Sequence, residues 1–477
     1  MESIAAECAL PLCVDLDGTL IATDLLWESY FALARRRPAD LARTPAWLLR
    51  GRARLKSEIA SRVELDASTL PYRREVVDFL AAEKARGRKL VLATASDRRL
   101  AQAVADHLGL FDEVMASDAD GNLKGRAKFA ALERRFGRGG FAYLGDSAAD
   151  LPIWEGAGET LLVRSRPGVA RRAAAFREPA AVFEGTPVGP LALIKALRPH
   201  QWAKNILVFV ALIASHQFGV VAAWLNCLAA FASFSFAASA VYILNDLLDL
   251  ESDRKHHRKR RRPFASGAAP IPAGVVLIGL LLAASAAAAA VLPPRFAAIL
   301  ALYLVLTTAY SFLLKRKLMV DVICLAGLYT LRILAGGVAA TAPISPWLMA
   351  FSMFLFLSLA FAKRYTELTA VGESTEKIAG RGYQPSDIDL IRSFGPMSGY
   401  LCVLVFCLYL NSPDVRAYYH HPGVLWLLCP ILLYWISRVW FLACREQLNE
   451  DPVVFALRDR NSHACGLLFA AVFAAAL

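Results

Sequence analysis

Residues Asn245–Gly267, NDLLDLESDRKHHRKRRRPFASG, follow directly on a long apolar run, and their reading decides the fold of most of the chain. Asp246, Asp249 and Asp253 recur at i, i+3 and i+7, so a helix leaving a membrane would carry all three carboxylates on one face. Seven Lys or Arg follow within the nine residues Arg254 to Arg262. Carboxylates beside cations suit a divalent metal clamped onto a phosphorylated substrate: the metal screens acid from phosphate, and Lys and Arg take the outer oxygens. The stretch implies pyrophosphate chemistry at a membrane surface.

Outward from this segment the chain is asymmetric. Its 477 residues suffice for two or three domains, and a composition of 57% hydrophobic and 20% charged residues hides a division within the chain. Residues 1–190 are charged and soluble in character, whereas 204–477 consist mostly of apolar runs at about 204–217, 220–244, 271–292, 296–314, 319–341, 345–362, 396–411, 423–443 and 464–477. That predicts about nine membrane helices, the first, seventh and last short for a core of ~30 Å. With the N-terminus in the cytoplasm, inside loops carry Arg254–Arg262, Lys315-Arg316-Lys317, Lys363-Arg364, Arg381, Arg445, Arg458 and Arg460, against Arg295 and Arg416 outside. This asymmetry follows the positive-inside rule and predicts a multi-pass cell-membrane protein. It also accounts for the formal charge of +12 without nucleic acid as a partner. The start, MESIAAECAL, lacks the cationic region of a signal peptide, so the soluble part is expected in the cytoplasm. The nine cysteines show no paired spacing and predict buried or reduced thiols. His256 and His257 have no metal-ligand partners at a useful spacing.

In the soluble part Leu10–Val14 is a short apolar run ending in Asp15-Leu16-Asp17-Gly18-Thr19, the pattern of a buried parallel strand delivering two carboxylates to its C-terminal end. Lys89–Ala93 runs into Thr94, Lys128 starts a helical stretch to Arg135, and Phe141–Leu144 ends in Gly145-Asp146-Ser147-Ala148-Ala149-Asp150. This set resembles the haloacid dehalogenase (HAD) superfamily over roughly residues 10–165. The resemblance implies an α/β Rossmann-like domain, residues 1–185, with a small helical cap at about 25–75. It also implies that Asp15 is the nucleophile, forming an aspartyl-phosphate, and Asp17 the general acid/base. Asp146 and Asp150 would hold Mg²⁺ with Asp15 and Asp17, while Thr94 and Lys128 would bind the transferring phosphate; Lys124 is the alternative lysine. A carboxylate can attack phosphorus once a metal and a Lys neutralise the phosphoryl charge.

Residues 186–203 are expected to be a linker and an interfacial segment, with Leu191–Leu197 and Trp202 at the cytoplasmic surface. Within the apolar part, Tyr310, Lys315, Asp321, Arg332, Lys363 and Arg364 are candidate substrate-binding residues. Ionisable groups in a span are costly unless paired or facing a polar cavity. Asp321 and Arg332 lie eleven residues apart, about three helical turns, and share a face.

Asn245-Asp246-x-x-Asp249-x-x-x-Asp253, with Arg262-Pro263-x-x-Ser266-Gly267, resembles the UbiA-type intramembrane prenyltransferase superfamily, and the likeness covers about residues 190–477, with the transferase domain at 204–477. It implies an all-α polytopic bundle whose cavity opens to lipid, with Mg²⁺ joining the carboxylates to a diphosphate. Typical members carry a second Asp-rich motif after the sixth span; here that position reads Lys363-Arg364-Tyr365-Thr366-Glu367-Leu368. The pieces around Arg198–Asn205, Tyr310–Lys315, Asp321-Val322, Leu331–Gly336 and Glu450–Arg460 resemble a narrower branch, the decaprenyl-phosphate phosphoribosyltransferases. Members of that branch move 5-phosphoribose from phosphoribosyl pyrophosphate (PRPP) onto a polyprenyl phosphate. By this resemblance Asp246 and Asp249 hold Mg²⁺ on the pyrophosphate, Asn245 and Asp253 support them, and Lys204, Arg262, Lys363 and Arg364 bind phosphate groups. The rest of the Arg254–Arg262 run is expected to anchor the loop at anionic lipid. The HAD domain would remove the 5-phosphate of the product, and homo-oligomerisation is left open. Two alternatives stand beside this reading: a prenyltransferase taking a prenyl diphosphate and an aromatic acceptor, and a transporter or lipid-binding protein with a regulatory HAD domain.

Overall fold

The computed structural model describes all residues except 1–8, 120, 185–188, 371–381, 414, 416–418 and 449–450. Cys8, Arg381, Arg416, Glu450 and the predicted domain boundary at 185/186 therefore lie outside the described residues. Contacts divide the chain into two compact units, one of Met1–Leu197 with Ile243–Leu277 and one of Arg198–Tyr242 with Ile278–Leu477. The carboxylate segment thus groups with the N-terminal residues.

The first unit is built on a six-stranded, wholly parallel sheet in the order β3-β2-β1-β4-β5-β6, with β1 Leu12–Val14, β2 Leu90–Asp97, β3 Glu113–Ser117, β4 Ala142–Gly145, β5 Glu159–Val163 and β6 Ala181–Phe183. β1 is central, and Leu12, Cys13 and Val14 are fully buried, which is why this strand is a continuous apolar run without alternation. The strand order reverses between β1 and β4, and in open parallel sheets ligands bind beyond the carboxyl ends of the strands at that reversal. Asp15 and Asp146 are the residues immediately after those two strands.

Between β1 and the sheet-packing helix Arg74–Ala85 lies the small helical cap. Its first helix, α1 (Leu25–Arg36), is capped by the Asp24 carboxylate, which accepts from Leu26 N and Trp27 N. Arg52–Ala60 packs beside it, and Leu33, Trp47, Ile59 and Val63 form a separate apolar core. At about 1.5–3 kcal/mol for each large side chain fully buried, that core supports the cap as a small folded piece.

Among the described residues seven helices are long and apolar enough to cross a membrane: Val221–Leu248, Ile271–Ala290, Pro294–Phe312, Val320–Ala339, Pro346–Thr369, Pro385–Leu410 and Pro422–Cys444. The predicted first run folds as a 3₁₀ segment, Pro199–Phe209, followed by the short helix Val210–Ala214, and the predicted last run as the 17-residue helix Arg460–Ala476. The 3₁₀ segment is pressed against α2 (Val320–Ala339) at Gly336, where any Cβ would strike the carbonyl of Val208. Val276, Leu280, Leu302 and Val305 stay exposed on their helices, as suits contact with lipid. α2 is mostly buried within its unit, and α3 (Pro346–Thr369) carries its charged residues at its C-terminal end. The eight described cysteines are free.

Candidate active sites

At the carboxyl ends of β1 and β4, the oxygens of Asp15, Asp146 and Asp150 lie within 4.8 Å of one another. Lys128, fixed on the helix Arg126–Phe136, donates to Asp15 Oδ1 at 2.7 Å and to Tyr143 Oη at 2.9 Å. Tyr143 in turn donates to Asp150 Oδ1 at 2.9 Å. Lys124 is exposed, so Lys128 is the lysine in reach of the cluster. Gly18 has φ +83° and lies so close to Asp146 that a Cβ there would strike its carboxylate. Asp17 accepts from Leu25 N at 2.8 Å and from Ser96 Oγ at 2.5 Å, and Thr94, fully buried, accepts from Ser96 N at 3.0 Å.

Three carboxylates against one ammonium leave excess negative charge in a buried place. Burial first, then the neighbouring Asp15 and Asp150, pushes Asp146 up to about 8. Burial and Asp24 raise Asp17 to about 7, so this carboxyl holds a proton near neutrality, as a general acid must. The cluster therefore fits a divalent cation, which would replace protons as the compensating charge. Lys56, from the cap helix Arg52–Ala60, donates to Ala95 O at 2.5 Å close to this site. Nothing in the sequence marks it, because a cap lysine is one among many surface cations until the cap is placed.

The second constellation lies in the carboxylate segment. The helix that carries Asn245 and Asp246 ends at Leu248, and Leu250–Lys255 resumes after a break at Asp249, although the Asp249 and Asp253 amides still donate to the carbonyls four residues back. Arg262 Nη1 bridges Asp246 at 3.0 Å and Asp253 at 2.6 Å. Asp249 turns elsewhere and pairs with Arg35 of α1 at 3.2 Å. The one-face arrangement expected from the spacing thus resolves into a shared pair and a separate third carboxylate, because the break falls at Asp249. Asp246 and Asp253 are buried, and burial raises Asp253 even with Arg262 beside it. Arg254 is drawn into a buried pair with Glu28, whereas Arg258, Lys259, Arg260 and Arg261 are exposed. His256 and His257 are exposed, and the His256 ring accepts from the backbone amides of Arg258 and Lys259.

The third constellation belongs to the helical unit. Lys204, on the 3₁₀ segment, and Lys363, on α3, both donate to Asp451 Oδ2, at 2.8 and 2.9 Å, and Tyr329 Oη donates to Oδ1 of the same carboxylate at 3.1 Å. Burial would raise Asp451, but Lys363 and Lys204 overrule it and hold the carboxyl far below its usual range. Asp321 and Arg332, which share α2, take separate partners. Asp321 pairs with Arg364 at 2.8 Å and accepts from Tyr310 Oη at 2.7 Å, and Arg332 donates to Asn205 at 2.8 Å and to Tyr303 Oη at 3.2 Å. Arg364 also meets Glu367 and is almost fully buried, so it ties α3 to its neighbours. Lys315 is half-buried on the turn Leu314–Arg316. Asp451 lies within the piece Glu450–Arg460 but carries no assigned role in the sequence reading; the signal for it is that Lys204 and Lys363 in an apolar bundle need a counter-charge.

Residues 205–458 match the UbiA prenyltransferase family. The chain belongs to that family. Residues 12–155 match the haloacid dehalogenase-like hydrolases, so a HAD domain precedes the UbiA domain on one chain. The protein y4nM of Sinorhizobium fredii is 39% identical over 100% of this chain and 93% of its own length. The nodulation protein NoeC of Azorhizobium caulinodans is 36% identical over 58% of this chain and 92% of its own. The decaprenyl-phosphate phosphoribosyltransferase of Mycobacterium tuberculosis is 32% identical over 60% of this chain and 94% of its own. Among solved structures, a UbiA homologue of Archaeoglobus fulgidus bound to GPP and Mg²⁺ is 18% identical with a TM-score of 0.46, covering 60% of this chain and 99% of that one. The carboxylate segment and Asp451 fall inside the UbiA match, and Lys204 stands one residue before it.

Proposed function

We propose that the chain transfers 5-phosphoribose from PRPP to a polyprenyl phosphate, such as decaprenyl phosphate, with release of pyrophosphate, and that the HAD domain then removes the 5-phosphate to give a precursor for arabinose or cell-envelope glycan synthesis. The active-site loops and the HAD domain face the cytoplasm in this reading, where a soluble donor is available. The observation that carries it is the pair Lys204 and Lys363 meeting on Asp451: the end of α3 presents cations where users of a prenyl diphosphate carry a second set of carboxylates. Cations there suit one more phosphate, which an aromatic acceptor would not bring. Likeness to the mycobacterial phosphoribosyltransferase over nearly all of that protein's length supports the same choice.

Asp246 and Asp249, supported by Asn245 and Asp253, would hold Mg²⁺, which neutralises the pyrophosphate as it leaves. Arg262 and Arg35 occupy these carboxylates in the free protein and would be released to substrate oxygens on loading. Lys204 and Lys363 bind phosphate oxygens, Arg364 and Arg332 hold their helices in place, and a lipid phosphate oxygen attacks the ribose carbon. An apolar cavity of about 750 Å³, lined by Trp347, Phe351, Phe406 and Phe469, offers room for part of an isoprenoid tail. In the HAD domain, Asp15 attacks the phosphoryl group, Lys128 neutralises it, Asp17 protonates the leaving oxygen, and Asp15, Asp146 and Asp150 would hold the metal.

Mass spectrometry of the lipid product made from PRPP, decaprenyl phosphate and Mg²⁺ tests both steps. Wild type should yield the dephosphorylated ribosyl lipid and Asp15→Asn the phosphorylated one. Identical phosphorylated lipid from both removes the HAD step, and label transferred from a prenyl diphosphate without PRPP overturns the donor assignment.

A further inference from the structure

Arg254 opens the basic run of the carboxylate segment, and within the first unit it is held by a residue 226 positions earlier. Its Nη2 and Nη1 donate to Glu28 Oε1 at 2.6 Å and Oε2 at 3.1 Å, and its Nε donates to Ala265 O at 2.8 Å. The two side chains are only 8% and 4% exposed. A bidentate Arg–carboxylate pair fixes both distance and orientation, and a third donor placed on Ala265 fixes the return of the loop. Glu28 is itself held by the Thr23 hydroxyl at 2.7 Å, one residue before the cap of α1. The N-terminus of the same helix is held by Asp17 through Leu25 N, and its last turn sends Arg35 to Asp249. Gly267, at φ +73°, backs onto Ala22 so closely that no side chain would fit. The segment bearing Asp246 and Asp249 is thereby seated on the first helix of the hydrolase domain at two places and on the turn before that helix at a third.

We propose that Glu28 is a positioning residue of the transferase. Acting through Arg254, it sets the conformation in which Asp246 and Asp249 can take metal and pyrophosphate together, so transfer depends on α1 whether or not the phosphatase works. This rests on the reading that those two carboxylates carry the metal of the transfer reaction. The exposed pair of Arg36 with Glu251, at 44% and 35% exposure, has no such role, because exposed pairs are worth little.

The test uses the full chain in detergent with Asp146→Asn as background, so that Mn²⁺ titrated as a spectroscopic probe reports the transferase site. Glu28→Arg and Arg254→Glu should each weaken Mn²⁺ binding by about tenfold or more and raise KM for PRPP by more than they lower kcat. The double charge swap should recover most of both losses. Arg254→Lys, which keeps the charge and forfeits the second donor, should fall between, and it carries the decision if the reversals do not fold. Arg36→Ala should match wild type. Unchanged Mn²⁺ binding and KM in Arg254→Lys and in the folded reversals would overturn the proposal. Asp249→Ala separates the two ideas: if it abolishes binding and transfer while the Glu28 variants are silent, only the positioning role fails, and if it too is silent, the metal assignment fails.

Discussion

Removal of the Asp451 carboxylate should damage the helical unit more than any exposed charge would. Its Oδ2 takes Lys204 at 2.8 Å and Lys363 at 2.9 Å, and the three side chains are 9%, 10% and 30% exposed. In Asp451→Ala two ammonium groups are left facing each other with no acceptor, one of them buried, and stripping one partner from a buried pair costs about 3–5 kcal/mol. Asp451→Asn keeps an acceptor without the charge and should cost about 1.5–3 kcal/mol. At about 2–4 °C per kcal/mol, the alanine variant should melt roughly 6–20 °C below wild type, read by differential scanning fluorimetry in detergent. Adding Lys204→Met to Asp451→Ala removes the buried orphan charge and should restore more than half of the loss. The sign with pH follows from the depressed carboxyl: its stabilisation is fully present above about 4 and is lost as pH falls below that, so the gap between wild type and variant should narrow in acid. A melting point within about 1 °C of wild type for Asp451→Ala would refute the reasoning, because the pair would then be too well solvated to count.

Two further expectations concern the hydrolase site. Lys128→Met, which deprives Asp15 of its only close cation among the described residues, should lower hydrolysis of an aryl phosphate by about 10²–10³-fold, and a rate within twofold of wild type would exclude the lysine from phosphate stabilisation. Asp146 and Asp17, raised to about 8 and about 7, keep protons that the unfolded chain releases near 4, so the metal-free domain loses stability as pH rises from about 4 to about 8. Mg²⁺ displaces the Asp146 proton, and its apparent affinity should climb by up to about tenfold per pH unit until about 8 and level off above; thermal shifts with and without Mg²⁺ between pH 5.5 and 9 measure this, and a shift independent of pH would contradict it.

The hydrolase fold was legible because its chemistry sits at strand ends. A three-residue strand, Leu12–Val14, is too short for periodicity to find, yet Asp15-x-Asp17-Gly18 marks where it must stop, and the same holds for Gly145-Asp146 after β4. The membrane half was legible from run length, except at its two ends, where 204–217 and 464–477 are too short for ordinary spans and fold as a 3₁₀ segment with a short helix and as a 17-residue helix. Pairings were not legible. Asp321 and Arg332 share a face of α2 at the right spacing and still choose Arg364 and Asn205, because those partners come from elements that sequence spacing cannot place.

The Arg254–Arg262 run shows what spacing leaves out. Anchoring at anionic lipid and holding a loop in place both call for a cation, so seven basic residues in nine look alike in the sequence. What divides them is whether a buried carboxylate meets them. Arg254 finds Glu28, and Arg262 finds Asp246 and Asp253, whereas Lys259, Arg260 and Arg261 face outward. Losing an outward cation removes one long-range attraction to a negative surface, about 1 kcal/mol near a membrane and independent of the other residues. Losing Arg254 or Arg262 instead strands buried carboxylates, so its effect is large and is transmitted to whatever those carboxylates hold. Anchoring at anionic lipid would therefore be additive along the run and tolerant of exchange, while the proposed positioning role would be confined to its two ends and would not be.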